Sequence, residues 1–440
     1  MDNKTSRRKF VQQTGLLAGG LAAAPLFSNA NFFSGAAGVI KIALIGCGGR
    51  GTGAAIQALS TSQNVQLVAM ADAFRDRLDD CYKSITGNLA ESGINVSKVN
   101  VPEERKFTGF DAYEKAIALA DVVLLTTPPG FRPIHFEAAV KQGKHVFMEK
   151  PVATDPAGIK KVLDMALVAK QKKLNVVVGL QRRYQNSYRA LFKNKDLIGD
   201  ITSAQAWWNN DGVWVKERQP NQTEMEYQMR NWYYFNWLCG DHIVEQHVHN
   251  IDVVNWFKNA YPVKAQGLGG RQVRTDKKYG EIYDHHFVEF HYADGSILNS
   301  QCRHIPRTMS KVDELLVGTK GKIYGDAAVI KDHKGNTLFA FDKKGENNPY
   351  QAEHDELFAA VAKGEYKFWD AEYGAKSTLT GIIGRMATYS GEVIDFEKAL
   401  NSGIDLMPKK FSFDADPLIM PDANGMYTIA TPGRTRYNVS

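Results

Sequence analysis

The chain has 440 residues, 44% hydrophobic and 23% charged, with a formal net charge of +6. It is too long for one ordinary domain and too apolar for general disorder. The charge is too modest, without a basic stripe or an arginine-rich arm, to argue for nucleic acid. Cys47, Cys81, Cys239 and Cys302 make no CxxC pair and are too few for a disulfide scaffold, so they read as isolated core thiols.

Arg7 and Arg8 precede a soft apolar stretch from Gly15 to Leu26, and Ser28-Asn29-Ala30 offers a small-x-small cleavage pattern. A basic end, an apolar segment and a cuttable site follow in the order that export requires. The string Ser6-Arg7-Arg8-Lys9-Phe10 resembles a twin-arginine export signal. Residues 1–35 are therefore expected to be signal and linker, with delivery to the periplasm or otherwise beyond the cytoplasmic membrane. The plainer alternative is a basic amphipathic N-terminus. The apolar stretch is short and glycine-rich for a transmembrane helix, so no stable membrane insertion is expected after processing.

Val39–Ile45 reads as a buried strand, running into Gly46-Cys47-Gly48-Gly49-Arg50-Gly51 and then a helix through Leu59. Gly46, Gly48 and Gly51 supply the GxGxxG spacing of a dinucleotide loop: a tight turn, close approach of a pyrophosphate, and close helix–strand packing. The helix start then presents free N–H groups to phosphates, with Gly49 and Arg50 beside them. A second strand, Val65–Ala71, ends in Asp72, placed to bind adenosine ribose hydroxyls and to favour NAD over NADP. Further units follow: a strand Asp121–Thr127 ended by Pro128, a helix Ile134–Gln142 carrying His135, and a short strand ending in Glu149-Lys150-Pro151. Ligands in such sheets bind beyond the strand C-termini, which is where Thr127, Pro128, Glu149 and Lys150 fall.

With these motifs together, the sequence resembles the glucose-fructose oxidoreductase / inositol dehydrogenase family. The strand end at Thr126-Thr127-Pro128 and the string Glu149-Lys150-Pro151 carry the resemblance. It implies an α/β fold of two domains. The first is a Rossmann domain, over 36–175. The second, over 176–400, is an α/β domain with an open, mainly antiparallel sheet, which binds substrate and forms dimers or tetramers. Residues 401–440 are left as a C-terminal extension. The resemblance also implies a Lys150 beside the substrate, and a segment around Arg182 and Tyr184 that leads into the substrate site.

Strands are expected at 201–208, 263–270, 285–292, 296–304, 312–318 and 338–342, and helices at 353–362 and 376–398. The segment 207–238 is rich in aromatic and amide side chains, including Trp214 and Tyr233, which suit sugar rings. An insertion that packs on itself or on a partner subunit explains it equally well. Apolar spacing from 240 to 257 predicts one continuous helix, on which His242, Glu245, His249 and Asp252 share a face. The resemblance makes His249 the acid–base group and Glu245 the carboxylate that orients it; His242 and Asp252, on the same face by spacing, are assigned to substrate. The spacing of His242, Glu245 and His249 is not a known zinc pattern, so no metal is expected.

Together these residues predict an NAD-dependent oxidoreductase with tightly bound cofactor. It would transfer hydride from a ring hydroxyl of a sugar, glycoside or cyclitol, with Lys150 as electrostatic partner. Two alternatives stay open: an NAD-dependent glycoside hydrolase working by transient ring oxidation, and a non-catalytic sugar-binding protein.

Overall fold

The computed structural model describes residues Gly38–Val439. The expected export signal lies outside the described residues. Among them, no helix is long and apolar enough to cross a membrane.

The first sheet has six parallel strands: β1 (Ile40–Ile45), β2 (Val65–Asp72), β3 (Lys106–Thr108), β4 (Val122–Leu125), β5 (His145–Met148) and β6 (Val176–Val178). Their order is β3-β2-β1-β4-β5-β6, the arrangement of a dinucleotide-binding sheet, with a topological switch between β1 and β4. These runs of Val, Ile and Leu bury both faces, as parallel strands under helices must; all of β4 is inaccessible. Helix α1 (Gly49–Leu59) packs its alanine face on one side of the sheet, and α2 (Arg132–Lys141) follows β4.

The second sheet contains β7 (Ile201–Asn210), β8 (Lys264–Gly270), β9 (His285–His291), β10 (Ile297–His304), β11 (Lys311–Gly318), β12 (Gly321–Tyr324), β13 (Val329–Asp332), β14 (Thr337–Ala340) and β15 (Ile394–Asp395). Only β7 and β10 pair in parallel; every other neighbour is antiparallel. Residues in β10 alternate between buried and half-buried, which is the period of a sheet covered on one face. The covered face packs under helices; on the other, Leu268 and Phe287 stand opposite each other, 77% and 38% exposed.

Four short strands were not expected from sequence: β3, β12, β13 and β15. Each is too brief to carry an alternation of its own. The helix expected over 240–257 is two helices, α3 (His242–Glu245) and α4 (Val248–Lys258). Helix α5 (Pro349–Ala362) returns to the first sheet, where Leu357 and Phe358 join the core of α1. Helix α6 (Ala371–Ser390) ends earlier than expected, at Gly391 in the left-handed conformation with φ 75°. The four cysteines are buried and free, as expected, although Cys47 and Cys81 prove to be neighbours.

The C-terminal segment after Leu400 has no helix or strand, yet it is anchored. Phe413 meets Phe74 and Phe110 at ring distances of 5.3 and 4.9 Å, and Phe411 meets Phe131 at 5.6 Å.

Candidate active site

A cleft of about 580 Å³ opens beyond the C-terminal ends of β1, β2 and β4. The glycine loop forms its floor. Gly46 has φ 98°, and a side chain there would meet the Thr127 amide at 2.5 Å. A Cβ on Gly51 would strike the Gly46 carbonyl at 2.0 Å, so the helix can approach the strand only without it. Gly48 differs: nothing in the protein lies within 4 Å of a Cβ built there, so it faces open space at the start of α1. The loop therefore leaves room for a phosphate where the first N–H groups of α1 are free of helical partners.

Asp72 lines the cleft at the end of β2. Its carboxylate accepts the Cys47 amide at 2.7 Å and the Phe74 amide at 2.9 Å, tying the glycine loop to the next turn. Burial raises its pKa. Arg77, Lys216 and Arg230 bring positive charge to the same cleft. These cations were not picked out from sequence, because they sit on separate elements without a motif. Arg50 lines the cleft and bonds Glu149 and Glu353, which fixes the loop to β5 and α5. Thr127, Pro128 and His135 also line it, with His135 Nδ1 3.2 Å from the Thr127 hydroxyl. Burial and the nearby Arg132 charge push His135 down to about 3. Glycine cradle, cationic lining and ribose-side carboxylate together fit a dinucleotide.

At the other end of the cleft stand Trp214, Trp232, Tyr233, Glu245 and Gln246. The Tyr233 hydroxyl has no hydrogen-bond partner among the described residues. Lys150, just past β5, donates to the Glu245 backbone carbonyl at 2.6 Å and to its Oε1 at 3.0 Å. In an unbroken helix that carbonyl would accept from the His249 amide. Captured by lysine, it leaves the ladder. The Gln246 and His247 amides both turn to the His242 carbonyl, and the His249 amide turns to Gln246 at 3.4 Å. This is the physical cause of the break between α3 and α4.

His249 follows the break, 8% exposed, its ring stacked on Trp208 at 5.9 Å. Its Nδ1 is buried without a partner among the described residues. Burial, then the charges of Lys150 and Arg182, hold its pKa well below the usual histidine range. Lys150 is thus close enough to His249 for its charge to act there, and neither residue is among those lining the cleft. The expected pairing of Glu245 with His249 is corrected: the Glu245 carboxylate bonds Lys150 instead, because the helix break turns it toward β5.

Four more residues expected near substrate do not line the cleft. Asp252 is held by Arg183 at 2.8 and 2.9 Å and by the Ser377 hydroxyl at 2.7 Å. Tyr184 donates to Asp370 at 2.7 Å. Arg182 is paired with Glu314, which burial raises to about 7. His242 is wholly buried among other histidines. The shared face assumed for His242, Glu245, His249 and Asp252 disappears with the continuous helix.

Residues 40–180 match the model of the oxidoreductase family with an NAD-binding Rossmann fold. The match spans the first sheet, from β1 to β6. Among curated relatives, an inositol 2-dehydrogenase of Cereibacter sphaeroides is 25% identical over 53% of this chain and 59% of its own length. The chain therefore spans less than two thirds of that relative. Inositol 2-dehydrogenase 3 of Saccharopolyspora erythraea is 24% identical over 81% of this chain and 95% of its own. Among solved structures, aldose-aldose oxidoreductase from Caulobacter crescentus superposes with a TM-score of 0.60 at 17% identity, covering 81% of this chain and 99% of that one. The fold shared with that structure thus extends into the second domain.

Proposed function

We propose that the chain is an NAD-dependent oxidoreductase acting on a ring hydroxyl of a sugar, glycoside or cyclitol. The observation that carries this is the Lys150–Glu245 pair beside a neutral His249, at the strand end where a dinucleotide fold places its reacting carbon.

Bound NAD would supply the hydride acceptor. The chain's own groups handle the proton and the charge. An ammonium has three donors, and Lys150 spends two on Glu245, leaving one for the substrate oxygen. That hydrogen bond stabilises negative charge as the hydroxyl loses its proton. His249 Nδ1 is sealed off, so Nε2 is the atom left to take that proton. Glu245 holds Lys150 in place. Trp214, Trp232 and Tyr233 offer flat apolar faces to a polyol ring. The names of relatives support the substrate class: inositol 2-dehydrogenases, and a scyllo-inositol dehydrogenase of Lactobacillus casei solved with NAD(H) and scyllo-inositol. The same proposal includes export through Arg7 and Arg8, and self-association through the open face of the second sheet.

The test is to incubate the purified chain with inositols, aldoses and p-nitrophenyl glycosides, with and without added NAD. Ketone formation with matching NADH is the expected result. Sustained p-nitrophenol release without added NAD, yielding a reducing sugar, would overturn it in favour of hydrolysis.

A further inference from the structure

Behind the Tyr233 wall of the cleft lies a second polar cluster that the proposed reaction does not use. Asp241, His242, His286 and His304 are each no more than 2% exposed, and none lines the cleft. Asp241 precedes α3 with φ 70°, a left-handed conformation unusual for a residue with a side chain. Its carboxylate is fixed from several directions. Oδ1 accepts the His242 amide at 2.5 Å, while Oδ2 accepts the Tyr283 amide at 3.0 Å and the Tyr389 hydroxyl at 2.5 Å.

His286 meets the Thr388 hydroxyl at Nδ1, 2.9 Å away, and brings Nε2 to 3.3 Å from Asp241 Oδ2. His242 Nε2 lies 3.8 Å from Asp241 Oδ1, and neither of its ring nitrogens has a hydrogen-bond partner among the described residues. His304 stacks on His242 with ring centroids 4.2 Å apart, and both its nitrogens are likewise without partners. Buried polar groups are normally satisfied, so these ring nitrogens call for a partner.

A cation placed between Asp241, His242 and His286 would be met by a ligand atom from each of the three. One ligand atom each from Asp241, His242 and His286 already lies within 4.8 Å of the others. Tetrahedral ligands at zinc-like bond lengths sit about 3.3–3.6 Å apart, so small side-chain adjustments close the site.

We propose that Asp241, His242 and His286 bind a divalent transition-metal ion of the zinc class, with His304 stacked behind His242. The set of one carboxylate and neutral imidazoles suits such an ion and not calcium or magnesium, which take oxygen ligands. The trio differs from the His242, Glu245 and His249 grouping that the sequence brings to mind, because Lys150 occupies Glu245. The ion would pin the start of α3 to β9. His304 stacks on Tyr233 at 5.8 Å, so occupancy would also set the position of a ring that lines the cleft. The role is structural, since no ligand reaches the cleft.

Elemental analysis of the full chain, purified without chelator, tests this. The expected content is about one zinc-class ion per chain, lost in Asp241→Asn and His286→Gln and kept in His333→Gln, an exposed control. Should the two cluster variants fail to fold, the wild type still decides. Cobalt-loaded protein should show visible d–d absorption, and a strong chelator should lower the melting temperature until zinc is restored. Wild-type protein that is metal-free after refolding with zinc and desalting, and whose melting ignores chelator, would overturn the proposal. So would full metal retention in both folded cluster variants.

Discussion

Lys150 reaches Glu245 at two points, the backbone carbonyl at 2.6 Å and the carboxylate at 3.0 Å, across 95 residues of sequence. One cation thus ties the end of a Rossmann strand to the helix pair of the second domain. The same contact breaks the helix and exposes His249 to a different partner set. Replacing Lys150 with methionine keeps much of the stem but removes both bonds. Turnover should fall by about 10²–10⁴-fold, the usual cost of losing a positioned group. Glu245→Gln preserves a neutral acceptor and the backbone carbonyl, so it should cost far less. Steady-state kcat of both variants, with NAD binding measured separately, checks this order.

The glycines should divide into two kinds. Gly48→Ala adds a methyl group that touches nothing in the protein, so the fold should survive while NAD affinity drops. Gly51→Ala drives a methyl group into the Gly46 carbonyl at 2.0 Å and should destabilise the chain by about 1–3 kcal/mol or more. Calorimetric NAD titration paired with thermal melting separates the two outcomes.

Stability should fall on acidification. Burial first, then nearby cations, depresses His135 and His247 to about 3, and burial depresses His145 to about 4. Unfolded histidines titrate near 6.5, so below that pH the unfolded chain binds protons that the folded chain refuses. The stability is whole above about 6.5 and is lost as the pH falls toward the folded values, at up to about 1.4 kcal/mol per pH unit for each histidine. Urea melts at pH 7.5 and 5.5 should show the lower midpoint at pH 5.5. A pH-independent midpoint would refute the assignment of these rings as buried and neutral.

The C-terminal segment should support the cofactor cleft. Phe413 packs on Phe74 and Phe110, which line the cleft, and Phe411 packs on Phe131. Phe411→Ala with Phe413→Ala should lower the melting temperature and weaken NAD binding, each ring contributing about 1–3 kcal/mol of apolar burial. Equal NAD affinity in the double variant would confine the segment to general stability.

Export is a proposal about residues outside the described structure. Changing Arg7 and Arg8 together to lysine should leave the precursor unprocessed inside the cell, as read by fractionation and by mass of the N-terminus.

The Rossmann half was legible in the sequence because its determinants are local. A glycine loop between a strand and a helix is fixed by φ, by close approach and by a run of apolar residues, all within Val39–Leu59. Asp72, Thr127, Pro128 and Lys150 were legible for the same reason, since each closes a strand. The strands of the second sheet from 201 to 318 announced themselves by alternation. What periodicity missed was the choice of partner. Spacing placed Glu245, His249 and Asp252 on one helical face, but Lys150 captured the Glu245 carbonyl and ended the helix there, and Arg183 took Asp252 into the core. His242 left the substrate side to meet His286 and His304, which arrive on strands 44 and 62 residues later. Helical propensity is worth tenths of a kcal/mol per residue. A buried charge without its partner costs several, so long-range pairing overrode the local period wherever the two disagreed.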